Sequence, residues 1–143
     1  MSKVFAIASF GGHWKQLRLL SECFDKHEVI YITNESFKSC KCEKITDVNR
    51  NSYFLILKCI FQFLILFVKH RPSHVVSTGA LPGLIGVFIG RIFFCKTLWI
   101  DSMANAEELS FSGKVAKKIA HICLSQWEDV ATTEGVGFQG RVL

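Results

Sequence analysis

A short apolar run that breaks into two glycines and a histidine constrains this chain more than any other stretch. Lys3-Val4-Phe5-Ala6-Ile7-Ala8 is bounded by polar residues and glycine, which reads as a buried strand. Ser9-Phe10-Gly11-Gly12-His13 follows, and then Leu17, Leu19, Leu20, Cys23 and Phe24 recur at roughly helical spacing, with Lys15, Gln16 and Arg18 on the other side. A strand, a glycine turn and a helix in that order leave backbone N–H groups free at the helix start, and such a site suits an anionic oxygen, above all a phosphate. The same two glycines equally serve a plain tight turn. Gly11 and Gly12 are therefore candidate anion-binding residues, and His13 a candidate ligand or base.

The rest of the chain repeats the strand–helix alternation. Glu28 to Thr33 is β-branched and aromatic and predicts the second strand. A short strand is expected at Lys44 to Val48, and Asn49-Arg50-Asn51-Ser52 supplies turn and N-cap chemistry for a helix from Tyr53 to Val68. Arg71-Pro72 ends that helix, and His74 to Thr78 re-enters the sheet. A second glycine-bearing loop, Ser77-Thr78-Gly79, precedes a helix that starts near Pro82 and runs to about Phe94. Lys96 to Ile100 delivers Asp101 to a strand end, Gly113-Lys114 opens or precedes another helix, and His121 to Ser125 is the next strand before a short helix at Gln126. This alternation predicts one α/β domain over residues 1–143, a Rossmann-like three-layer parallel sheet. Ligands of such sheets bind beyond the carboxyl ends of the strands, so the Gly11 loop, the Ser77 loop, Asp101 and Gln126 should share an edge.

Between Tyr53 and Val68 only Lys58 and Gln62 are polar, and they share one helix face. Sixteen residues span about 24 Å against a hydrocarbon core of about 30 Å, so a membrane span is a poor fit. A helix buried in the fold explains one apolar side. We read the stretch instead as a helix docked on the sheet whose outer residues dip into a membrane surface. Phe54, Phe61, Phe63 and Phe67 then meet lipid, and Arg50, Lys58, Lys69 and Arg71 meet anionic headgroups. The 13 phenylalanines and 50% apolar content agree with surface given over to a lipid or a partner.

Composition excludes several classes. The net charge of +5 permits attraction to phosphates or anionic lipid, but no basic run interleaved with aromatics supports nucleic acid binding. The apolar run after Lys3 is too short for a secretory signal, so the expectation is a cytoplasmic location with six reduced thiols. Cys40-Lys41-Cys42 has no companion ligands, and no metal or cofactor is expected. A nicotinamide or flavin site needs G-x-G-x-x-G, which Gly11-Gly12-His13-Trp14-Lys15-Gln16 does not meet.

The expected edge carries two loops suited to phosphate, His13 as phosphate ligand or general base, and Asp101 as its partner or as the base. The ordered set Ser9-x-Gly11-Gly12-His13, Arg71-Pro72 leading to Val76-Ser77-Thr78-Gly79-Ala80, Trp99-Ile100-Asp101-Ser102, Leu109-Ser110 with Gly113-Lys114, Gln126-Trp127 and Gly140-Arg141-Val142 resembles the acceptor-side subunit of two-component glycosyltransferases. That family includes the membrane-anchoring subunit of the UDP-N-acetylglucosamine transferase of lipid-linked oligosaccharide assembly, and its bacterial members serve capsule and exopolysaccharide synthesis.

The resemblance implies the N-terminal half of a GT-B glycosyltransferase split into two polypeptides, an inverting UDP-sugar hexosyltransferase inactive as a single chain. This chain would bind a lipid-diphosphate-linked sugar through Gly11, Gly12, His13, Ser77, Thr78 and Gly79. A separate donor-side subunit would bring the UDP-sugar and dock on Gln126, Trp127, Gly140, Arg141, Val142 and Leu143. A scaffold that only recruits a competent glycosyltransferase is the alternative. The eukaryotic N-terminal anchor has no counterpart here, which implies a bacterial polysaccharide enzyme at the cytoplasmic face of the membrane, attached through residues 53–68. Asp101 stands where the family more often carries glutamate.

Overall fold

The computed structural model describes residues 2–38 and 40–142. Seven strands alternate with five helices: β1 (Lys3–Ile7), α1 (Gly12–Leu19), β2 (Glu28–Thr33), β3 (Cys42–Lys44), α2 (Tyr53–His70), β4 (His74–Ser77), α3 (Ala80–Ile92), β5 (Lys96–Ile100), α4 (Phe111–Ile119), β6 (Ile122–Ser125), α5 (Glu128–Glu134) and β7 (Gly137–Phe138). All strand pairs are parallel, in the order β3-β2-β1-β4-β5-β6-β7. The α/β Rossmann-like sheet is thus the one the alternation predicts. The order reverses between β1 and β4, which places the loops after these two strands side by side.

The sides of the sheet follow from strand parity. Phe5, Ile7, Val75 and Trp99 face α2 and α3 and are fully buried with Cys59, Phe63, Phe67 and Val87. Val4, Ala6 and Val76 face the other way, against Trp14 and Leu17 of α1. Because both faces at β1 are covered, its residues are apolar without alternation. Cover is thinner farther along: on the α1 side, Leu98 and Ile100 are half-buried, Ile122 is exposed, and a groove of about 340 Å³ opens over β4–β6. Close packing of α3 on the sheet needs glycine, since a Cβ on Gly90 would sit 2.8 Å from Val75 Cγ2.

The helix α2 begins where its N-cap predicts, with Ser52 Oγ accepting from Leu55 N–H at 3.4 Å. It runs 18 residues, about 27 Å, docked along the sheet. Here one expectation is corrected: Phe63 and Phe67 are fully buried core residues, with Phe67 edge-on to Phe5 at 4.9 Å, so neither can meet a membrane. Each such side chain contributes about 1.5–3 kcal/mol through burial. Phe54 and Phe61 are exposed, as are Leu57, Ile65 and Val68, and spacings of three and four put all five on one outer stripe. Of the expected headgroup cations, Lys58 and Arg71 are exposed, whereas Lys69 is held by Glu43 at 3.0 Å.

Several boundaries moved. The first helix stops at Leu19, and Cys23 and Phe24 belong to a separate 3-10 turn over Ser21–Phe24. The third strand lies at Cys42–Lys44 rather than Lys44 to Val48, whose apolar residues Ile45 and Val48 instead fill the core under α2. The helix α3 ends at Ile92, and β7, unforeseen, adds two residues at the far edge.

Candidate functional site

Two loops meet at the reversal point and lock onto each other. His13 Nδ1 donates to the Thr78 carbonyl at 3.1 Å, and Thr78 Oγ1 donates to the His13 carbonyl at 2.7 Å. A carbonyl can only accept, so Nδ1 carries the proton and the neutral ring leaves Nε2 as an acceptor. Gly79 permits this approach: its φ is 139°, and a Cβ there would collide with the imidazole. Ala80 begins α3 at φ 67°, a left-handed conformation costing about 1–2 kcal/mol for a residue with a Cβ. Strain therefore sits beside His13, as it often does where a fold positions a functional group.

His13 lines a cavity of about 440 Å³. Its other walls come from the start of α3 (Ala80 and Leu81), the loop after β5 (Ser102, Ala104 and Asn105), the start of α4 (Ser110 to Ser112) and Asn49-Arg50 just ahead of α2. Three helices, α1, α3 and α4, thus present their N-terminal ends to one space. Among the described residues that line it, Arg50 is the one cation and none is a carboxylate. Its guanidinium lies 4.3 Å from the centre of the Phe111 ring, a cation–π contact at the cavity wall. Converging helix dipoles, a fixed arginine and the absence of a lining carboxylate favour an anion.

The remaining predicted residues are placed differently. Ser77 and Thr78 are fully buried, and the Ser77 hydroxyl accepts from Gly79 N–H at 3.2 Å. Their hydroxyls shape the loop rather than face the cavity. Gly11, at φ 111°, and Gly12 form the turn into α1 without lining the cavity. Asp101 is 1% exposed, and its carboxylate accepts from Trp99 Nε1 at 3.1 Å, Ser110 N–H at 2.9 Å and Ser110 Oγ at 2.6 Å. Asp101 does not line the cavity, and these bonds position Ser110, the N-cap of α4.

A polar chain joins this edge to the C-terminal segment. Gln126, buried, donates to Gln16 Oε1 at 2.7 Å and to the Asp101 carbonyl at 3.0 Å, and its own oxygen accepts from Val142 N–H at 3.1 Å. Arg141 lies over the Trp127 ring at 4.7 Å, and Trp127 Nε1 donates to the Met103 carbonyl at 2.7 Å. Gly140 and Arg141 are exposed, whereas Gln126 is covered and touches the tail at Val142. Leu143 lies outside the described residues. Burial pushes the thiols of Cys59 and Cys123 up to about 12, which removes them as nucleophiles near neutral pH. Among the described residues, no group of three or more His, Cys, Asp or Glu is arranged to hold a metal.

Sequence reading missed Asn49, Ser102, Asn105, Ser110 and Ser112 as cavity residues and assigned Arg50 to headgroups instead. One signal was available for most of them: Ser102 and Asn105 follow β5, and Ser110 and Ser112 lie at the start of α4, the positions that line the binding edge of a parallel sheet, whereas Asn49 sits in the loop ahead of α2.

This fold is the half domain of GT-B enzymes. MurG of Acinetobacter baumannii superposes with a TM-score of 0.76 at 13% identity, covering 91% of this chain and 43% of that one. UDP-N-acetylglucosamine 2-epimerase of Rickettsia bellii gives 0.73 at 15% identity over 96% and 43%. The lipopolysaccharide outer core galactosyltransferase WaaB gives 0.61 at 11% identity over 96% and 43%. The chain therefore spans less than half the length of these structures. No family model and no curated protein matches its sequence.

Proposed function

We propose that this chain is the acceptor-binding half of a two-chain inverting glycosyltransferase of bacterial polysaccharide synthesis, working at the cytoplasmic face of the membrane. The observation that carries the reading is a juxtaposition. The carboxylate-free cavity of His13 and Arg50 opens directly beside the start of α2, whose exposed stripe begins at Phe54. An anionic group with an apolar tail fits both, as a lipid-diphosphate-linked sugar does. The GT-B neighbours include glycosyltransferases, which supports sugar transfer; in this reading a donor-side chain docks near Trp127 and the tail and brings the UDP-sugar.

In this reaction His13 Nε2 accepts the proton of the acceptor hydroxyl as that oxygen bonds to the anomeric carbon of the donor. The bond from that carbon to the diphosphate breaks, and UDP leaves with the electron pair. Arg50 and the helix starts hold the acceptor diphosphate, which remains on the lipid. The test mixes this chain with its donor-side partner, radiolabelled UDP-sugar and an undecaprenyl-diphosphate-linked sugar. His13→Ala should lower transfer about 10²-fold or more. Unchanged transfer by this variant would leave only a scaffold, and full activity of the chain without a partner would refute the split enzyme.

A further inference from the structure

The helix α3 ends in a Schellman motif. Phe94 N–H donates to the Arg91 carbonyl at 3.2 Å, and Cys95 N–H to the Gly90 carbonyl at 2.8 Å. The residue after the cap in this motif is normally glycine because it must be left-handed. Here it is Phe94, at φ 60° and 95% exposed. A bulky side chain in this conformation is strained, and this one recovers almost nothing by packing inside the fold. The C-cap of α2 repeats the pattern with Arg71 at φ 51°, also exposed.

These two helix ends are neighbours. Phe93 packs on Phe67 with ring centroids 5.3 Å apart, and Phe67, Val68, Arg71, Pro72 and Phe93 line a cleft of about 350 Å³ between them. Phe88 and Ile92 extend the exposed apolar surface along α3. The charge carried by α2 and α3 themselves is one-signed, and Glu43, which reaches the end of α2, is paired with Lys69 and His70. Residues 48–100, which include α2 and α3, hold six Lys and Arg and no Asp or Glu, so the remainder of the +5 chain is net −1.

We propose that the ends of α2 and α3 form a second lipid-contact point, at which Phe94 inserts into the interface of an anionic bilayer while Arg71 and Arg91 meet its phosphates. The molecule then lies with its α2–α3 layer flat on the membrane, held at Phe54 and Phe61 near the cavity and at Phe94 at the opposite end. An aromatic tip flanked by arginines suits the headgroup boundary, and helices with no acid of their own meet little repulsion from anionic lipid. The inference rests on the membrane reading of the proposed function, shares Arg71 with it, and adds Phe94 and Arg91 at the other end of the helices.

The test is co-sedimentation of the whole chain with vesicles of equal parts phosphatidylglycerol and phosphatidylethanolamine. Phe94→Gly should lower partitioning about tenfold, in line with partial burial of one phenylalanine, and raise Tm by about 2–4 °C because glycine relieves the strain. The opposite signs separate a lipid contact from damage to the fold. Phe94→Trp should gain fluorescence that brominated lipid quenches. If Phe94→Gly partitions like the parent while Phe61→Ser does not, the second contact point is overturned and the α2 reading survives. Failure of the parent chain to bind vesicles overturns both. A parent dimer in lipid-free buffer that Phe94→Gly dissolves assigns the patch to a second copy and likewise overturns the proposal.

Discussion

Helices α2 and α4 cover the same side of one sheet, with α3 between them, yet their outer faces differ: α4 exposes Phe111 and Val115 among lysines, α2 a continuous apolar row. The helix α4 sets Gly113 and Ala116 inward and carries Lys114, Lys117 and Lys118, the arrangement of an ordinary surface helix. Inward, α2 presents Cys59, Phe63, Leu66 and Phe67; outward, it presents Phe54, Leu57, Phe61, Ile65 and Val68. Folding requires only the first of those two rows. The second row buries nothing, so its chemistry belongs to whatever the protein meets, and α4 shows that the scaffold does not need it.

Substitutions on the two faces of α2 should therefore differ in kind. Phe67→Ala should cost about 3–5 kcal/mol in chemical denaturation, because it removes a fully buried ring. Losing the Asp101 carboxylate should come next: Asp101→Ala leaves the Trp99 and Ser110 donors unpaired and frees the α4 start, at about 2–4 kcal/mol. On the outer row, Phe54→Ser with Phe61→Ser should change stability by no more than about 0.5 kcal/mol and still strip the chain from anionic vesicles. The matching pair on α4, Lys117→Gln with Lys118→Gln, should do neither; if it removed vesicle binding as fully, the contrast between the helices would fail.

The smallest effect expected is pH-dependent. His70 at 2.8 Å, and then Lys69, hold the Glu43 carboxyl below the usual carboxylate range and so tie β3 to the end of α2. With its pKa lowered on folding, Glu43 contributes fully above the unfolded value near 4.5 and loses that contribution as pH falls through the lower folded value. Glu43→Gln should lower stability at neutral pH by only a few tenths of a kcal/mol, roughly what a partly exposed ion pair contributes, and by almost nothing at the acid end of the same titration.

The sheet was legible because its strands are apolar runs bounded by turn residues, and β2 and β5 fall where those runs lie. The faces of α2 were not. Phe61 and Phe63 are chemically alike, and nothing within an all-apolar helix tells which side will meet the sheet. The two-residue β7 is below any periodicity, and α3 ends at Ile92 with Phe94, not a glycine, in the left-handed position beyond its cap. At the site, His13 was visible from its glycines. Arg50 was recognisable only as a basic residue in a polar loop, because its approach to His13 depends on the chain crossing from β3 at one edge back to β4 beside β1. Ser77 and Thr78 sat at the correct strand end, but the inward turn of their hydroxyls is decided by the His13 and Gly79 backbone contacts.

The thin cover over Leu98, Ile100 and Ile122 on the α1 side has a thermodynamic consequence. A ligand chain that seats an apolar strip there adds up to about 1.5–3 kcal/mol for each side chain it fully covers. By mass action the melting temperature of the domain then becomes a property of the mixture, climbing with the concentration of whatever binds. A thermal titration can thus register an assembly at this face before any activity is known.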